Sequence, residues 1–242
     1  WVQVGIPCTF SEHECVCLIS KSKNMKNYWK ICVGLALCLN GLAEAQTAVP
    51  ATWKAQWINT ERCQSATNTW LIYRKQAELT SVPKQVIARI AADTKYWLWI
   101  NDQLVVFEGG LKRGPSPTDT YYDTVDIAPY LKVGENTIAV QLWHFGRDGF
   151  SHVNSGKAVL LFEAVAPGVE ILSDGSWQCA WYEAYQDTEA PYPNYRLPES
   201  NIRFDARLAI EGWNRSDFQG SLPSAKVRYR ANEGPLGRLV ER

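Results

Sequence analysis

From residue 53 onward the chain is written in short runs that alternate between apolar and polar positions. In "KYWLWINDQLVVF" (Lys95–Phe107), Tyr96, Leu98 and Ile100 fall on one face of a strand and Trp97 and Trp99 on the other, because successive side chains of a strand point to opposite faces. The run reverses at Asn101-Asp102 and continues as a second strand, the pattern of a β-hairpin. The same reading predicts strands at Lys54–Ile58, Trp70–Ala77, Gln85–Ala91, Lys95–Ile100, Gln103–Phe107, Tyr121–Ile127, Asn136–Phe145, Ala158–Ala164, Val169–Leu172, Ser176–Ala180 and Ile202–Ala206. Little helical periodicity interrupts them. Many short aromatic and β-branched runs with turn signals between them indicate an all-β sandwich or barrel. Within Thr137–Leu142 the inward set is Ile138, Val140 and Leu142, with Thr137 and Gln141 facing the other way. Such alternation suits an antiparallel sheet covered on one face.

Three long loops separate these runs: Gly109–Thr120, Gly146–Lys157 and Glu183–Asn201. They carry Tyr, Arg, Asp and His rather than Ser and Gly, which favours ordered loops packed on a surface. After Gly220 the alternation decays, and residues 223–242 read as a connector.

The N-terminal region belongs to a different class. The only methionine is Met25, so residues 1–24 are expected to be upstream translation. From Met25 a basic stretch with Lys26 and Lys30, an apolar run from Ile31 to Leu42 and the small-residue site Ala43-Glu44-Ala45 spell a secretory signal peptide over residues 25–45. The apolar run falls short of the roughly 20 residues that span a bilayer, so no stable membrane span is expected. Export, to the periplasm or the medium, follows from this reading, and residues 46–222 are left as one sandwich domain.

Removal of residues 1–45 alters the charge and cysteine counts. The whole chain carries 25 Lys+Arg and 25 Asp+Glu; Lys21, Lys23, Lys26 and Lys30 leave with the leader, as do Glu12, Glu14 and Glu44, so acids slightly exceed bases. No basic footprint for nucleic acid remains. Of seven cysteines only Cys63 and Cys179 persist. They pair or stay as buried thiols; sequence alone does not give their separation.

Five segments appear in an order that resembles a known family: "WKAQWI" (Trp53–Ile58), "YRKQAEL" (Tyr73–Leu79), "IAADTKYWLWINDQLV" (Ile90–Val105), "YYDTVDIAPYLKVGENTIAVQLWHFG" (Tyr121–Gly146) and "SDGSWQC" (Ser173–Cys179). This order is similar to the N-terminal β-sandwich region of bacterial α-L-rhamnosidases, glycoside hydrolase family 78. Two residues depart from the family pattern. Ala77 stands where a Phe is usual, and Asp102 where the hairpin usually has Gly. The resemblance implies an all-β fold, an antiparallel β-sandwich of jelly-roll, galactose-binding-like type with long ordered loops. It further implies an exported, inverting hydrolase that removes terminal α-L-rhamnose from a rhamnose-containing glycan. Its catalytic carboxylates would lie in a C-terminal alpha/alpha barrel missing from this chain. Inversion requires an acid and a base carboxylate roughly 6.5–9.5 Å apart; no residue here is carried over as catalytic. The alternative is a stand-alone carbohydrate-binding module.

Candidate binding or docking residues follow from these two readings. Trp97 and Trp99 form either a stacking platform for sugar rings or a face covered by a loop or a neighbouring domain. His144, Asp148 and His152 are spaced by four, which on a helix would form a metal face. Gly146 and Gly149 and the preceding strand argue instead for polar loop contacts or a substrate cleft, and no metal site is assigned. Asp119, Asp123 and Asp126 are either a calcium cluster or solvated turn acids; no cofactor is expected beyond that possible calcium. Asp119 and Tyr121 are kept as binding candidates. In "YPNYRLPESNIRFDAR" (Tyr192–Arg207), Tyr195, Arg196 and Glu199 belong either to a loop reaching over a neighbouring sugar site or to an internally salt-bridged loop.

Overall fold

Burial on both faces of its central strands organises this protein. The computed structural model describes residues 52–61, 67–110, 118–149, 152–188 and 201–242, all within a unit spanning 51–242. Fourteen strands are described: β1 (Gln56–Asn59), β2 (Thr69–Leu79), β3 (Ile87–Ala92), β4 (Lys95–Ile100), β5 (Gln103–Gly110), β6 (Asp119–Asp126), β7 (Gly134–His144), β8 (Leu160–Ala166), β9 (Val169–Leu172), β10 (Gln178–Trp181), β11 (Tyr185–Asp187), β12 (Ile202–Phe204), β13 (Lys226–Arg230) and β14 (Arg238–Glu241). A five-stranded sheet runs β10-β2-β7-β4-β5, and a seven-stranded sheet runs β13-β1-β8-β3-β6-β14 with β9 on β8. β11 and β12 form a separate ribbon. Pairing is antiparallel except between β14 and β6. Among the described residues no helix is long and apolar enough to cross a membrane.

The sheets pack face to face, as expected for an all-β sandwich. Tyr96, Leu98 and Ile100 of β4 and Ile138, Val140 and Leu142 of β7 meet Ile90 of β3 and Leu160 and Phe162 of β8 in one core. All nine are 0% exposed, and each such side chain contributes about 1.5–3 kcal/mol by leaving water. The expectation that β7 is covered on one face only needs correction. Thr137 and Gln141 are buried, as are Ala139 and Trp143, because an aromatic cluster containing Tyr182, Ala184, Trp213 and Leu222 lies over that second face. A third cluster, with Trp57, Leu161 and Leu236, covers the outer face of the seven-stranded sheet.

Segments that read as loop or connector supply further strands. β11 lies inside the expected Glu183–Asn201 loop. β13 pairs with β1 through Gln56↔Arg230 and Trp57↔Tyr229, and β14 lies parallel to β6 through Leu239↔Thr120 and Val240↔Tyr121. The segment after β12 is not strand up to Ala206: Asp205 accepts a bond from Arg207 N–H and starts a 3-10 turn, Ala206–Leu208.

Two turns explain themselves residue by residue. Asn101 and Asp102 have φ of 46° and 70°, so the hairpin adopts the all-positive geometry of a type I′ turn despite Asp in the glycine position. Asn101 compensates by donating to the Tyr130 carbonyl and Asn136 Oδ1, each at 2.8 Å, and accepting from Thr137 N–H at 3.0 Å. At the far end of β5, a Cβ on Gly109 would lie 2.2 Å from the Tyr96 ring, and Gly110 has φ of 83°. Gly110 N–H and the Tyr96 hydroxyl both donate to Asp123 Oδ2, at 3.0 and 2.8 Å.

A buried carboxylate ties the start of the chain to the sheet. Glu163 on β8 accepts from the N–H groups of Lys54 (2.6 Å) and Ala55 (2.9 Å) and from the Arg89 guanidinium, which also lies 4.0 Å over the Trp53 ring. Removing one member of a buried pair strands the other charge. Glu163→Gln is expected to lower the unfolding free energy by about 3 kcal/mol in urea denaturation, with a larger loss of hydrogen-exchange protection in β1 than in β7.

Candidate functional site

Trp97 and Trp99 project from β4 onto the outer face of the five-stranded sheet. There they join a run of aromatic rings. Trp70 of β2 stacks on Trp143 (4.6 Å between centroids), on Trp97 (5.7 Å) and on Tyr185 of β11 (4.1 Å). Trp99 meets the edge of Trp213 at 5.6 Å. Offset and edge-on arrangements of this kind add to the burial energy. Most of the face is therefore covered by the chain's own residues 182–185 and 202–222.

Polar bonds hold that cover in place. Arg74 on β2 is buried and donates to the carbonyls of Arg215 (2.7 Å) and Trp213 (3.4 Å), with Phe218 stacked 5.5 Å from its guanidinium. Asp102 at the hairpin tip accepts from the Ser216 N–H (2.5 Å) and hydroxyl (3.0 Å). This gives Asp102 a function that glycine lacks: it ties the hairpin to the cover. What the cover leaves open is the β4–β5 edge, where Phe107 is 71% exposed and lies edge-on to Trp97, and Leu104 beside it is also exposed.

The structure brings His144 and His152 together, but not with Asp148. Asp148 is exposed and accepts from Asn154 N–H at 2.7 Å. The acid between the histidines is Asp93, in the turn from β3 to β4. His152 Nε2 lies 3.3 Å from Asp93 Oδ1, and His144 Nδ1 donates to the Asp93 carbonyl at 2.9 Å. Thr94 Oγ1 donates to Asp93 Oδ1 (2.9 Å) and Ser155 N–H to Asp93 Oδ2 (2.7 Å). All three side chains are buried, and His144 Nε2 and His152 Nδ1 have no hydrogen-bond partner. Burial works to push the Asp93 carboxyl up, but the His152 bond, the nearby His144 and the Ser155 N–H outweigh it and hold Asp93 below the ordinary carboxylate range. Burial pushes the His144 imidazole below its usual value, against the pull of Asp93. The cluster fastens the 152–157 loop to the ends of β3 and β7. Among the described residues no group of three or more His, Cys, Asp and Glu is arranged to hold a metal ion.

The remaining acids are engaged by the protein itself. Asp119 accepts from Arg238 of β14 at 2.9 Å, while Tyr121 lies under the Arg242 guanidinium. Asp123 receives Tyr96, Gly110 and, at 3.2 Å, Arg242. Asp126 accepts from the N–H groups of Val86 and Ala128, both at 3.1 Å. These acids spread along β6 to separate partners rather than converging on one point. Tyr195, Arg196 and Glu199 lie outside the described residues, as do residues 1–51 and Cys63. Sequence reading missed Asp93, which looks like an ordinary turn residue; apart from Thr94, its partners His144, His152 and Ser155 lie 51 to 62 positions away.

No protein-family model matches the chain, and no curated protein does. Solved structures do. The GH78 family rhamnosidase of Bacillus sp. GL1 superposes with a TM-score of 0.66 at 27% identity, covering 79% of this chain and 20% of that one. The alpha-L-rhamnosidases of Aspergillus terreus (TM-score 0.60, 24% identity, 78% and 22% covered) and Dictyoglumus thermophilum (0.56, 21%, 79% and 22%) share the fold.

The histidine cluster sets an acid limit on stability. A folded-state imidazole held below its ordinary value of about 6.5 stabilises the native state fully above that pH and loses the contribution as pH falls below it. Asp93, held below about 3.9, adds the same dependence at lower pH. The unfolding free energy should therefore decline from about pH 6.5 downward, and His144→Gln should flatten the slope between about pH 6.5 and 5 in denaturation series at fixed salt. In a second experiment, Asp102→Gly keeps the turn geometry but frees Ser216. It should change stability by under about 1 kcal/mol while speeding proteolytic nicking between residues 211 and 220.

Over most of its described length, then, the chain resembles in fold a segment that makes up about a fifth of α-L-rhamnosidases, and in sequence, at 27% identity, the segment of the Bacillus GH78 family enzyme.

Proposed function

We propose that this chain is the N-terminal, non-catalytic sandwich region of an exported α-L-rhamnosidase whose full-length form hydrolyses terminal α-L-rhamnose from a glycan. The observation that carries the reading is the Bacillus match, which spans 79% of this chain but only 20% of the rhamnosidase. Asp93, Asp102, Asp119, Asp123, Asp126 and Glu163 each hold backbone or side-chain donors, whereas inverting hydrolysis needs two carboxyls flanking an open sugar site. Catalysis in this reading belongs to a separate barrel, and the signal-like segment at 25–45 accounts for export. The purified chain should release no rhamnose from an aryl α-L-rhamnoside at a rate above the uncatalysed one. Measurable turnover, abolished by a single carboxylate substitution in this chain, would overturn the reading.

A second reading, a carbohydrate-binding module, is favoured by the uncovered edge of the aromatic face. Phe107 and the half-buried Trp97 present ring surface that matches the C–H face of a pyranose. If the edge binds sugar, rhamnogalacturonan oligosaccharides at millimolar concentration should change tryptophan fluorescence saturably, and Phe107→Ala should weaken the response about tenfold. An unchanged spectrum would leave the edge as a docking or solvent-facing surface.

A further inference from the structure

Residues 152–157, between β7 and β8, are fastened to the rest of the protein at one point. Among them only His152 is buried; Val153 is exposed and 154–157 are half-buried. Gly149 N–H donates to the His152 carbonyl at 3.0 Å, and Asp148 Oδ1 and Asn154 Oδ1 accept from the Asn154 and Gly156 N–H groups. These bonds shape the loop without anchoring it. Among the described residues, the hydrogen bonds that leave 152–157 for another element end on Asp93 and Thr94. His152 Nε2 lies 3.3 Å from Asp93 Oδ1 and 3.4 Å from Thr94 Oγ1, and Ser155 N–H donates to Asp93 Oδ2 at 2.7 Å.

The fastening is built for neutral imidazoles. His144 carries its proton on Nδ1, which donates to the Asp93 carbonyl, and His152 carries its proton on Nε2, which faces the Asp93 carboxylate. The other two nitrogens, His144 Nε2 and His152 Nδ1, are buried without a hydrogen-bond partner. A second proton on either ring would create a buried N–H with nothing to receive it. Protonation of both would set two cations against one carboxylate. The other charged groups nearby have their own contacts. Lys95 of β4 lies 6.0 Å from the Phe145 ring, which His152 meets edge-on at 5.5 Å. On the loop itself, Asp148 accepts from Asn154 and Arg147 lies 4.0 Å from Asp187.

We infer that Asp93, His144 and His152 form an acid-released latch, in which protonation of the imidazoles frees residues 152–157 from the β3–β4 turn while both sheets stay folded. The latch uses a part of the molecule that neither functional reading needs, and it stands apart from both. The two histidines yield unequally. His144 is held in β7 opposite Thr69 of β2 and cannot leave without breaking the five-stranded sheet. His152 sits on the loop, and its departure leaves the Asp93 carboxylate to His144 alone. The direction follows from burial, which pushes the His144 imidazole below its usual value. The closed form therefore keeps its full advantage above about pH 6.5 and loses it as pH falls from there. Asp93, held below the ordinary carboxylate range, stays charged through that interval. Release also bares the side of Phe145 that His152 covers, on a ring only 4% exposed in the closed form.

The test is hydrogen exchange of the full chain at about pH 7.5 and about pH 5, corrected for the intrinsic pH dependence of exchange. Protection of the Ser155 amide should fall by more than about tenfold, and further than that of the β7 amides, and return when the pH is restored. In the double variant His144→Gln/His152→Gln, which keeps side-chain donors but no imidazole in the cluster, Ser155 protection should stay within about threefold across the same range. Far-UV circular dichroism at pH 7.5 establishes that this variant is folded. Asp148→Asn should leave the wild-type transition in place. Ser155 protection that does not change with pH in the wild-type chain would overturn the latch. Equal loss in Ser155 and β7 would also overturn it, since the whole domain would then be unfolding. A transition that persists unchanged in the folded double variant, or that disappears in Asp148→Asn, would overturn the assignment to the histidines.

Discussion

The pairing of β2 with β7 imposes the condition that the rest of the structure meets. These two eleven-residue strands pair along their whole length, from Thr69↔His144 to Leu79↔Gly134, and where Trp70–Tyr73 lies against Val140–Trp143 all but Gln141 are apolar, on both faces. One face demands the second sheet. The other demands a cover, and among the described residues that cover comes from residues 182–185 and 202–222. Arg74 and Asp102 are polar exceptions on this surface: the buried Arg74 and the exposed Asp102 at the hairpin tip both grip the cover's main chain. The aromatic side of β4 is thus mainly an internal joint, and only its β5 margin is left open.

Much of this was legible in the sequence, for a physical reason. Strands such as β4 and β9 carry a period-2 pattern that only one pairing register can bury, and their positions follow closely from it. The second face of β7 was missed because Thr137 and Gln141 suggest water, while Ala139 and Trp143, between and beyond them, are apolar and fall on the same side. β13, "KVRYR", has mostly exposed side chains; it is held by main-chain bonds to β1, and side-chain patterning is silent about those. The histidine pair was visible in its spacing, but helical spacing named the wrong third residue. Asp93 is supplied by a different turn, through contacts that only the tertiary fold creates.

Two surfaces with different chemistry result. The histidine–aspartate cluster is closed and fastens a loop. The Trp97–Phe107 edge is open, apolar and without a built polar partner.

The wiring of the seven-stranded sheet also bears on how the molecule is made. Its two borders, β13 and β14, come last in the described chain yet clasp β1 and β6, laid down more than a hundred residues earlier. During synthesis the borders of β1 and β6 must wait, unpaired, until β13 and β14 leave the ribosome. Unpaired strand borders attract other chains, and non-local pairing is slow to form. A nascent molecule stalled between β12 and β13 would thus present two open borders to chaperones or to its neighbours.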